Sequence, residues 1–423
     1  MARIEALAQR HARADHAGMR IDPNGIRLHA ASEQSFTKRE GILTKHMWMA
    51  GLAVVIAGTT AQAQETIKIG VNEPLTGAVA ASGTYVTNGA RIGAEVVNSR
   101  GGVLGKKIEL VIEDNKSNPK EAVDAAEKLI LRDKVPVMIG AWSSTFTLAV
   151  MPKLMEYGVP LIVETSSSGK ITVAGNPWVF RISPTSEMEA IAFVEKLGSF
   201  NPPIKKADFL SVNNDFGRGA AAEFSKALAS KGIKVGVTET MTPEATDLSA
   251  QLASIKRSDG DALFVTTGVE QITLVIKQAA EQRLTHRIIT TGGAFPDQML
   301  ANAGPAGMAS YHILFFSPWS ADKAKYPDVA KVYVDEWNKK KWEFAGLTEG
   351  FRGYDAVMTA VEAIKTAGKA EPEAIRQALW KTKLHGVNGD IAFIKQGPEG
   401  KESGQNVPNV YIVMLKEGKV TQP

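Results

Sequence analysis

Two runs of hydroxyl side chains stand directly after apolar segments that predict buried strands. Ser143 and Ser144 follow Val135–Ile139, and Ser166–Ser168 follow Pro160–Val163. Where a strand turns into a helix, free backbone N–H groups and the positive helix end attract anions, and hydroxyl groups add further donors. A helix N-cap explains either run alone. Two runs in consecutive strand-to-helix turns favour a binding site for a carboxylate.

The chain offers few residues for other chemistry. It has no Cys, which excludes disulfides, thiolate metal sites and cysteine nucleophiles. The sequence patterns of serine hydrolases, zinc proteases, phosphate loops and dinucleotide-binding turns are missing. Beyond residue 63 the His residues are His286, His312 and His385, too far apart in sequence to predict a metal cluster. We therefore predict no enzymatic activity, no metal and no cofactor.

Charge is distributed unevenly along the 423 residues, of which 44% are hydrophobic and 22% charged. Residues 1–63 hold 8 of the 49 basic and 5 of the 45 acidic residues, so the rest of the chain has 41 basic and 40 acidic residues. This near neutrality argues against nucleic acid as a partner. The length suggests two or three domains with sizeable cores.

Residues 43–63 (LTKHMWMAGLAVVIAGTTAQA) have the three parts of a secretory signal peptide: a short basic stretch, an apolar run and small residues ending at Ala63. The apolar run is too short to cross a membrane, and a buried helix or a retained anchor is the alternative. Because no Cys stands at the cleavage point, we expect no lipid anchor. We predict export with cleavage after Ala63, and we interpret residues 1–42 as a spurious upstream extension.

The rest of the chain alternates between short apolar runs and helical periodicity. The first predicted strands are Thr66–Asn72, Ile108–Glu113, Val135–Ile139 and Pro160–Val163, separated by helices Tyr85–Asn98, Pro119–Arg132 and Thr145–Tyr157. After an extended connector at Phe180–Thr185, a second set has strands Asp208–Val212, Ile233–Thr240, Ala262–Thr266, Arg287–Thr290 and Tyr311–Phe316 and helices Gly219–Ser230, Leu248–Arg257 and Gln271–Gln282. Strands separated by helices imply βαβ crossovers, so we predict an α/β fold with two doubly wound parallel-sheet lobes.

Three helices follow without strands between them, near Pro327–Lys340, Arg352–Thr366 and Pro372–Lys381. They cannot extend a βαβ sheet, so we expect them to pack on the first lobe, while strands Asp390–Phe393 and Val410–Leu415 complete the second lobe. The repeated chain crossings would form a multi-strand hinge. The predicted lobes are residues 64–183 with 317–386, and residues 184–316 with 387–423. We expect a ligand site in the cleft, at the carboxyl ends of the strands.

Several motifs between Thr66 and Leu415 resemble one known family. They are IKIGVNEPLTGAVAASG, NGARIGAEVVNSRGGVLGKKIELVIEDNKSNPKEAV, VMIGAWSSTFTLAV, GVPLIVETSSS, NNDFGRGAAAEF and GYDAV. In this order they are similar to the periplasmic substrate-binding proteins of branched-chain amino acid ABC transporters. The resemblance implies the type I periplasmic binding protein fold, a periplasmic location, a small-molecule ligand and an ABC permease as partner. Nothing in the pattern demands more than a monomer.

The resemblance also implies which residues hold the ligand's α-carboxylate. Ser144 and Ser168 are the best matched positions. The residues implied to line the pocket beside them are Trp142, Ser143, Ser166 and Ser167. Ser82 lies where family members often have an aromatic ring, so its small side chain implies extra room, which Trp142 would compensate.

Two residues of the second lobe are implied to close over the ligand. Phe216 matches a position that is commonly Tyr and would stack on the ligand; the alternative is a residue of the lobe core. The ammonium group of an amino acid needs a carboxylate partner in a water-poor cleft. Glu270 lies where some family members carry an acid, and the alternative is an ordinary first-turn helix acid. Another acid used by leucine/isoleucine/valine-binding members is replaced here by Gly292-Gly293-Ala294.

This replacement leaves the ligand class open. If Glu270 pairs with an ammonium group, the ligand is a branched-chain or other hydrophobic amino acid delivered to an ABC importer. If it does not, an aromatic or short-chain carboxylic acid fits better. A third interpretation is a ligand sensor for a membrane receptor, whose binding residues would be the same.

Overall fold

Two sheets of seven strands each form the framework of the described chain. The computed structural model describes residues 65–293, 295, 310–416 and 419–421. The predicted leader, residues 1–63, lies outside the described residues, and so does Ala294. Within the described ranges no helix is both long enough and apolar enough to cross a membrane.

The first sheet is almost entirely parallel. Its strands are β1 (Thr66–Glu73), β2 (Lys107–Asp114), β3 (Met138–Gly140), β4 (Leu161–Val163), β5 (Val179–Arg181), β13 (Ile394–Gln396) and β14 (Ser403–Gln405). Their order is β13-β14-β5-β4-β3-β1-β2, and only β13 with β14 is an antiparallel pair. The helices of this part are α1 (Ala80–Ser99), α2 (Pro119–Glu127), which continues as a π-helical turn (Lys128–Arg132), α3 (Ser144–Tyr157) and α4 (Lys170–Val173).

The second sheet repeats the arrangement. Its strands are β6 (Lys206–Val212), β7 (Lys234–Met241), β8 (Ala262–Thr266), β9 (Arg287–Thr290), β10 (Tyr311–Leu314), β15 (Tyr411–Lys416) and β16 (Lys419–Thr421), in the order β16-β15-β10-β9-β8-β6-β7. Its helices are α5 (Ser186–Val194), α6 (Asp215–Ser230), α7 (Ser249–Lys256) and α8 (Val269–Glu281), with 3-10 turns at Leu197–Ser199, Pro318–Lys323 and Phe344–Gly346. The predicted fold of two doubly wound lobes is confirmed.

Local sequence explains where these elements begin. Asn118 caps α2, because its Oδ1 accepts hydrogen bonds from the backbone N–H groups of Lys120, at 2.9 Å, and Glu121, at 3.4 Å. Pro119 occupies the first helical position, where the missing N–H costs nothing. The central strand β8 reads ALFVT and is buried along its whole length, as a parallel strand covered on both faces must be.

The three late helices are α9 (Pro327–Lys339), α10 (Leu347–Ala367) and α11 (Pro372–Leu379). As predicted, α10 and α11 pack on the first lobe, since Val357 and Ile375 join the core that contains Ile67 and Ile69. The backbones of α10 and α1 touch: a Cβ atom added at Gly353 would lie 1.9 Å from the carbonyl oxygen of Val86. This contact places the first turns of α10 beside the cleft.

The C-terminal strands differ from the prediction. The segment predicted as Asp390–Phe393 forms β12 (Gly389–Ile391), which pairs only with β11 (Leu384–Gly386), so its assignment to the second lobe is wrong. The next hairpin, β13 and β14, joins the first sheet rather than the second. Its inner strand reads SGQ and lacks the apolar signal of a buried strand. The strand predicted at Val410–Leu415 is confirmed as β15, whereas the exact lobe boundaries stay a prediction.

The strand β5 was also missed, because an extended connector was predicted over Phe180–Thr185. Its last residue, Arg181, is fully buried, although arginine in a sequence does not indicate a core position. Buried acceptors compensate its charge: Arg181 Nε donates to Gln405 Oε1 at 2.6 Å, and Nη2 donates to Thr172 Oγ1 at 2.9 Å. The pairing of Arg181 with Gln405 joins the polar strand β14 to β5.

We predict that Gly353→Ala lowers the free energy of unfolding by about 1–3 kcal/mol, because the added Cβ forces α1 and α10 apart. Ala is more favourable than Gly inside a helix by about 1 kcal/mol, and the destabilisation from the steric clash should be larger than this gain. Gly219→Ala is the matched control within helix α6, since nothing lies within 4 Å of a Cβ added there. Denaturant titration checks both variants; equal stability of the two would contradict the backbone contact.

Candidate functional site

The two hydroxyl runs meet at the carboxyl ends of β3 and β4, as the sequence predicted. The backbone N–H of Ser168 donates to Ser144 Oγ at 3.2 Å, and Ser166 Oγ donates to the carbonyl of Trp142 at 2.8 Å. All of these residues are buried. Ser144 Oγ accepts this hydrogen bond, so its own hydrogen remains available to an anion.

The serines of the two runs do not act alike. The hydroxyl of Ser166 lies 2.8 Å from Thr147 Oγ1, and that of Ser167 lies 3.0 Å from Ser186 Oγ, so both hold the scaffold together. Ser143 occupies the N-cap position of α3 without making a side-chain cap. Its Oγ and Thr165 Oγ1 are buried and have no hydrogen-bond partner among the described residues. Thr165 was missed from the sequence, although it adjoins the second run.

Arg181 supports the second run from behind. Its Nη1 donates to the carbonyl oxygens of Ser168, at 2.6 Å, and Ser166, at 3.1 Å. Burial lowers the pKa of Arg181 to about 9. The guanidinium thereby satisfies two carbonyl groups of this turn and fixes its backbone from the side of β5.

Trp142 forms part of the wall between the runs. Its φ of 49° lies in the left-handed region, which a bulky residue rarely adopts and which is concentrated at functional sites. The indole Nε1 donates to Glu349 Oε2 at 3.4 Å. The ring is therefore fixed by a carboxylate that the sequence analysis did not identify.

Glu270 reaches across the cleft from α8 to α1. Its Oε1 accepts from the backbone N–H of Ser82 at 3.1 Å, and its Oε2 accepts from Ser82 Oγ at 3.3 Å. The Glu270 carboxylate thus fills the room beside the small Ser82 side chain. The sequence had predicted that Trp142 would fill this room. Burial raises the pKa of Glu270, and no Lys, Arg or His of the described chain forms an ion pair with it.

Glu349 and Arg352 are two buried charged residues of the site that the sequence did not reveal. Both are buried on the first turns of α10, with Arg352 Nη1 4.0 Å from Glu349 Oε2. Ser82 Oγ also lies 3.4 Å from Glu349 Oε1, so this hydroxyl touches two carboxyl groups. Burial raises the pKa of Glu349 to about 7, against the opposing effect of Arg352. The predicted helix began only at Arg352, which left Glu349 outside a helical face.

Phe216 lies at the start of α6, facing the first lobe. Its ring is half-buried and outside the hydrophobic core of the second lobe, so the alternative of a core residue is not observed. A Cβ added at Gly292 would lie 2.6 Å from Phe216 Cζ, and Gly292 has a φ of 87°. The glycine that replaces an acidic position therefore makes room for this ring.

Two adjoining cavities lie at the cleft, and neither is lined by Ser82, Ser168 or Glu270. The first, called here the polar cavity, is lined by Ser143, Ser144, Thr165, Ser166, Glu349 and Arg352. The second, called here the apolar chamber, has a volume of about 170 Å³ and is lined by Val79, Pro119, Phe146, Val212 and Pro243. Both cavities share a wall formed by Trp142, Ser143, Phe216, Thr267 and Gly268.

The three His residues have structural partners instead. His286 Nε2 lies 2.9 Å from Asp208 Oδ2, His312 bonds Thr290, and His385 stacks on Tyr326. Across the described ranges, no group of three or more His, Asp or Glu residues is placed to hold a metal ion. The hydroxyl groups of the cleft suit an anionic group, and its carboxyl groups suit a cationic group. The arrangement therefore suits reversible binding of a small ligand that carries one positive and one negative charge.

Comparison with known proteins agrees with this arrangement. Residues 66–419 match the profile of a family described as periplasmic binding protein. The leucine-, isoleucine-, valine-, threonine- and alanine-binding protein of Pseudomonas aeruginosa is 28% identical over 350 residues, which cover 82% of this chain and 91% of that protein.

Two solved structures illustrate the range of ligands. A branched-chain amino acid transporter substrate-binding protein of Streptococcus pneumoniae, in complex with isoleucine, is 26% identical, with a TM-score of 0.72 over 85% of this chain and 100% of that chain. A solute-binding protein of an ABC transporter from Rhodopseudomonas palustris, in complex with 3,4-dihydroxybenzoic acid, is 25% identical. Its TM-score is 0.71, and the match covers 84% of this chain and 95% of that chain.

We predict that the unliganded protein becomes less stable as the pH rises from about 4.5 to 7. Burial raises the pKa of Glu349, Glu189 and Asp355 to about 7 each, so the folded state binds more protons than the unfolded state in this window. Glu349→Gln should reduce this slope and raise the free energy of unfolding above pH 7 by about 1–3 kcal/mol. Thermal unfolding at a series of pH values measures how stability changes with pH in the wild type and the variant. Glu281→Gln, at an exposed position, is the control. A slope that Glu349→Gln leaves unchanged would contradict the prediction.

Proposed function

The chain belongs to the periplasmic binding protein family, and on that premise we propose that it captures a branched-chain or other hydrophobic amino acid and delivers it to an ABC importer. Glu270 carries the proposal: it is a largely buried carboxylate that lacks a cation among the described residues. A buried carboxylate without a partner is costly, and the ammonium group of an amino acid would supply that partner.

The ligand's two charges would occupy different ends of the site. The α-carboxylate would bind at the start of α3, where Ser144 and Ser168 meet and the free hydroxyls of Ser143 and Thr165 line the polar cavity. The ammonium group would lie near Glu349 and Glu270. Because both carboxyl groups lie within 3.4 Å of Ser82 Oγ, a single cation near this hydroxyl would stabilise the two.

Binding would close the two lobes on each other. Ser82 belongs to α1 of the first lobe, and Glu270 and Phe216 belong to helices of the second lobe. A ligand that touches both sides adds contacts only in the closed arrangement, so it shifts the population toward that state. The closed form would be the one that a membrane permease recognises, with the protein acting as a monomer exported through the signal peptide at residues 43–63.

A ligand that has a carboxylate but no ammonium group fits this site less well. Such an acid would add a negative charge to a cleft that already holds the carboxyl groups of Glu349 and Glu270, without bringing a cation to offset it. An aromatic acid, like the one bound to the Rhodopseudomonas palustris protein, is therefore the outcome that would overturn the proposal. A gene neighbourhood with permease and ATPase genes would favour transport over a receptor-docking sensor.

We predict that Ser144→Ala combined with Ser168→Ala weakens the binding of L-leucine by about 2–4 kcal/mol, because hydrogen bonds to a charged group are lost. Isothermal titration calorimetry measures the change. Ser230→Ala is the control, since this serine lies at the exposed end of α6 and bonds only its own helix. Binding of wild-type strength in the double variant would refute the carboxylate site.

We predict that Glu270→Gln and Glu349→Gln each reduce the preference for L-leucine over 4-methylpentanoate, the same molecule without its ammonium group. The loss of one charged partner should narrow the ratio of the two dissociation constants by about 10–100-fold. Competition binding at pH 7 measures this ratio, with Glu281→Gln as control. If both site variants keep the wild-type ratio, neither carboxylate binds the ammonium group.

A further inference from the structure

The apolar chamber has an unusual concentration of aromatic rings. Trp142 and Phe216 form the wall that it shares with the polar cavity, and Phe146 lines it from α3. Among the described residues, none of these three rings pairs with another aromatic ring, whereas rings elsewhere in both lobes form many such pairs. Three unpaired rings around one space suit an aromatic guest, because rings gain from edge and face contacts beyond the area they bury.

Most polar side chains that line the chamber already have hydrogen-bond partners. Thr145 Oγ1 bonds Asp215, Asn214 Oδ1 caps α6, and the Gln271 amide donates to the carbonyls of Thr242 and Ala245. Ser143 Oγ, in the shared wall, is the unpartnered buried hydroxyl of the chamber lining. The chamber therefore favours a hydrocarbon group over a polar side chain.

The size of the chamber agrees with this chemistry. Its volume of about 170 Å³ exceeds that of an engineered apolar cavity of roughly 150 Å³ that binds benzene. A branched aliphatic side chain would leave part of this space without contacts, and unfilled cavity volume lowers the stability of the complex. A benzyl or larger aromatic side chain would fill more of it.

From these three observations we infer that the preferred ligand is an α-amino acid with an aromatic side chain. The ring occupies the apolar chamber between Trp142 and Phe216, while the charged groups of the same molecule occupy the polar cavity. The inference rests on the proposed function, because it takes the amino acid end of the ligand from that proposal. It adds the class of side chain, which the charged residues do not determine.

Calorimetric titration of the wild-type protein with four probes tests the inference. The probes are L-phenylalanine, L-leucine, L-valine and 3-phenylpropanoate, which is phenylalanine without its ammonium group. We expect L-phenylalanine to bind at least about tenfold more tightly than L-leucine or L-valine, and much more tightly than 3-phenylpropanoate. This comparison requires no variant, so it does not depend on the folding of a mutant.

A variant that fills the chamber gives a second test. Val79→Phe places a ring in the chamber from the half-buried start of α1, so it should lower the affinity for L-phenylalanine at least about tenfold more than that for L-leucine. Thr84→Phe adds the same ring at an exposed position of α1 and should leave the ratio of affinities unchanged.

The outcomes separate this inference from the proposed function. If L-leucine or L-valine binds as tightly as L-phenylalanine, the inference is wrong and the proposed function stands. If 3-phenylpropanoate binds and the amino acids do not, both are wrong. If Val79→Phe keeps the wild-type ratio of affinities, the ring of the ligand lies outside the chamber and the inference is overturned.

Discussion

The structure of the cleft depends on two buried carboxyl groups that share one hydroxyl. Ser82 Oγ lies 3.3 Å from Glu270 of the second lobe and 3.4 Å from Glu349, whose helix packs on the first. Two ionised carboxyl groups this close repel each other, and Arg352 lies beside only one of them. Under the proposed function, a ligand cation would relieve this repulsion, so these two carboxyl groups would select an amino acid.

The rest of the fold positions these charges and the two hydroxyl runs. Close backbone contact between α1 and α10 sets Ser82 next to Glu349, and Gly353 makes that contact possible. Arg181 ties the carbonyl groups of the second hydroxyl run to the strand behind it. This fixes the backbone of the run beside the polar cavity, where the hydroxyls of Ser143 and Thr165 have no partner among the described residues.

The sequence predicted the fold and part of the site, for reasons that can be traced to single residues. Apolar periodicity located most strands and helices, and the order of the motifs indicated where Ser144 and Ser168 would meet. It did not reveal β5 or β14, because Arg181 and Gln405 are polar residues whose burial depends on hydrogen bonds to each other and to neighbouring segments. Glu349 was missed for a similar reason: its role arises from the packing of α10 against α1, which no local pattern encodes.

Proton exchange on binding tests the central claim most directly. Burial raises the pKa of Glu349 to about 7, so a fraction of this carboxyl group is protonated at pH 7 before the ligand arrives. An ammonium group beside it lowers that pKa, and the protein should release a fraction of a proton per ligand. Titration of L-leucine in buffers of different ionisation enthalpy gives this number. Release of protons is the predicted result, whereas uptake or no exchange would contradict the account.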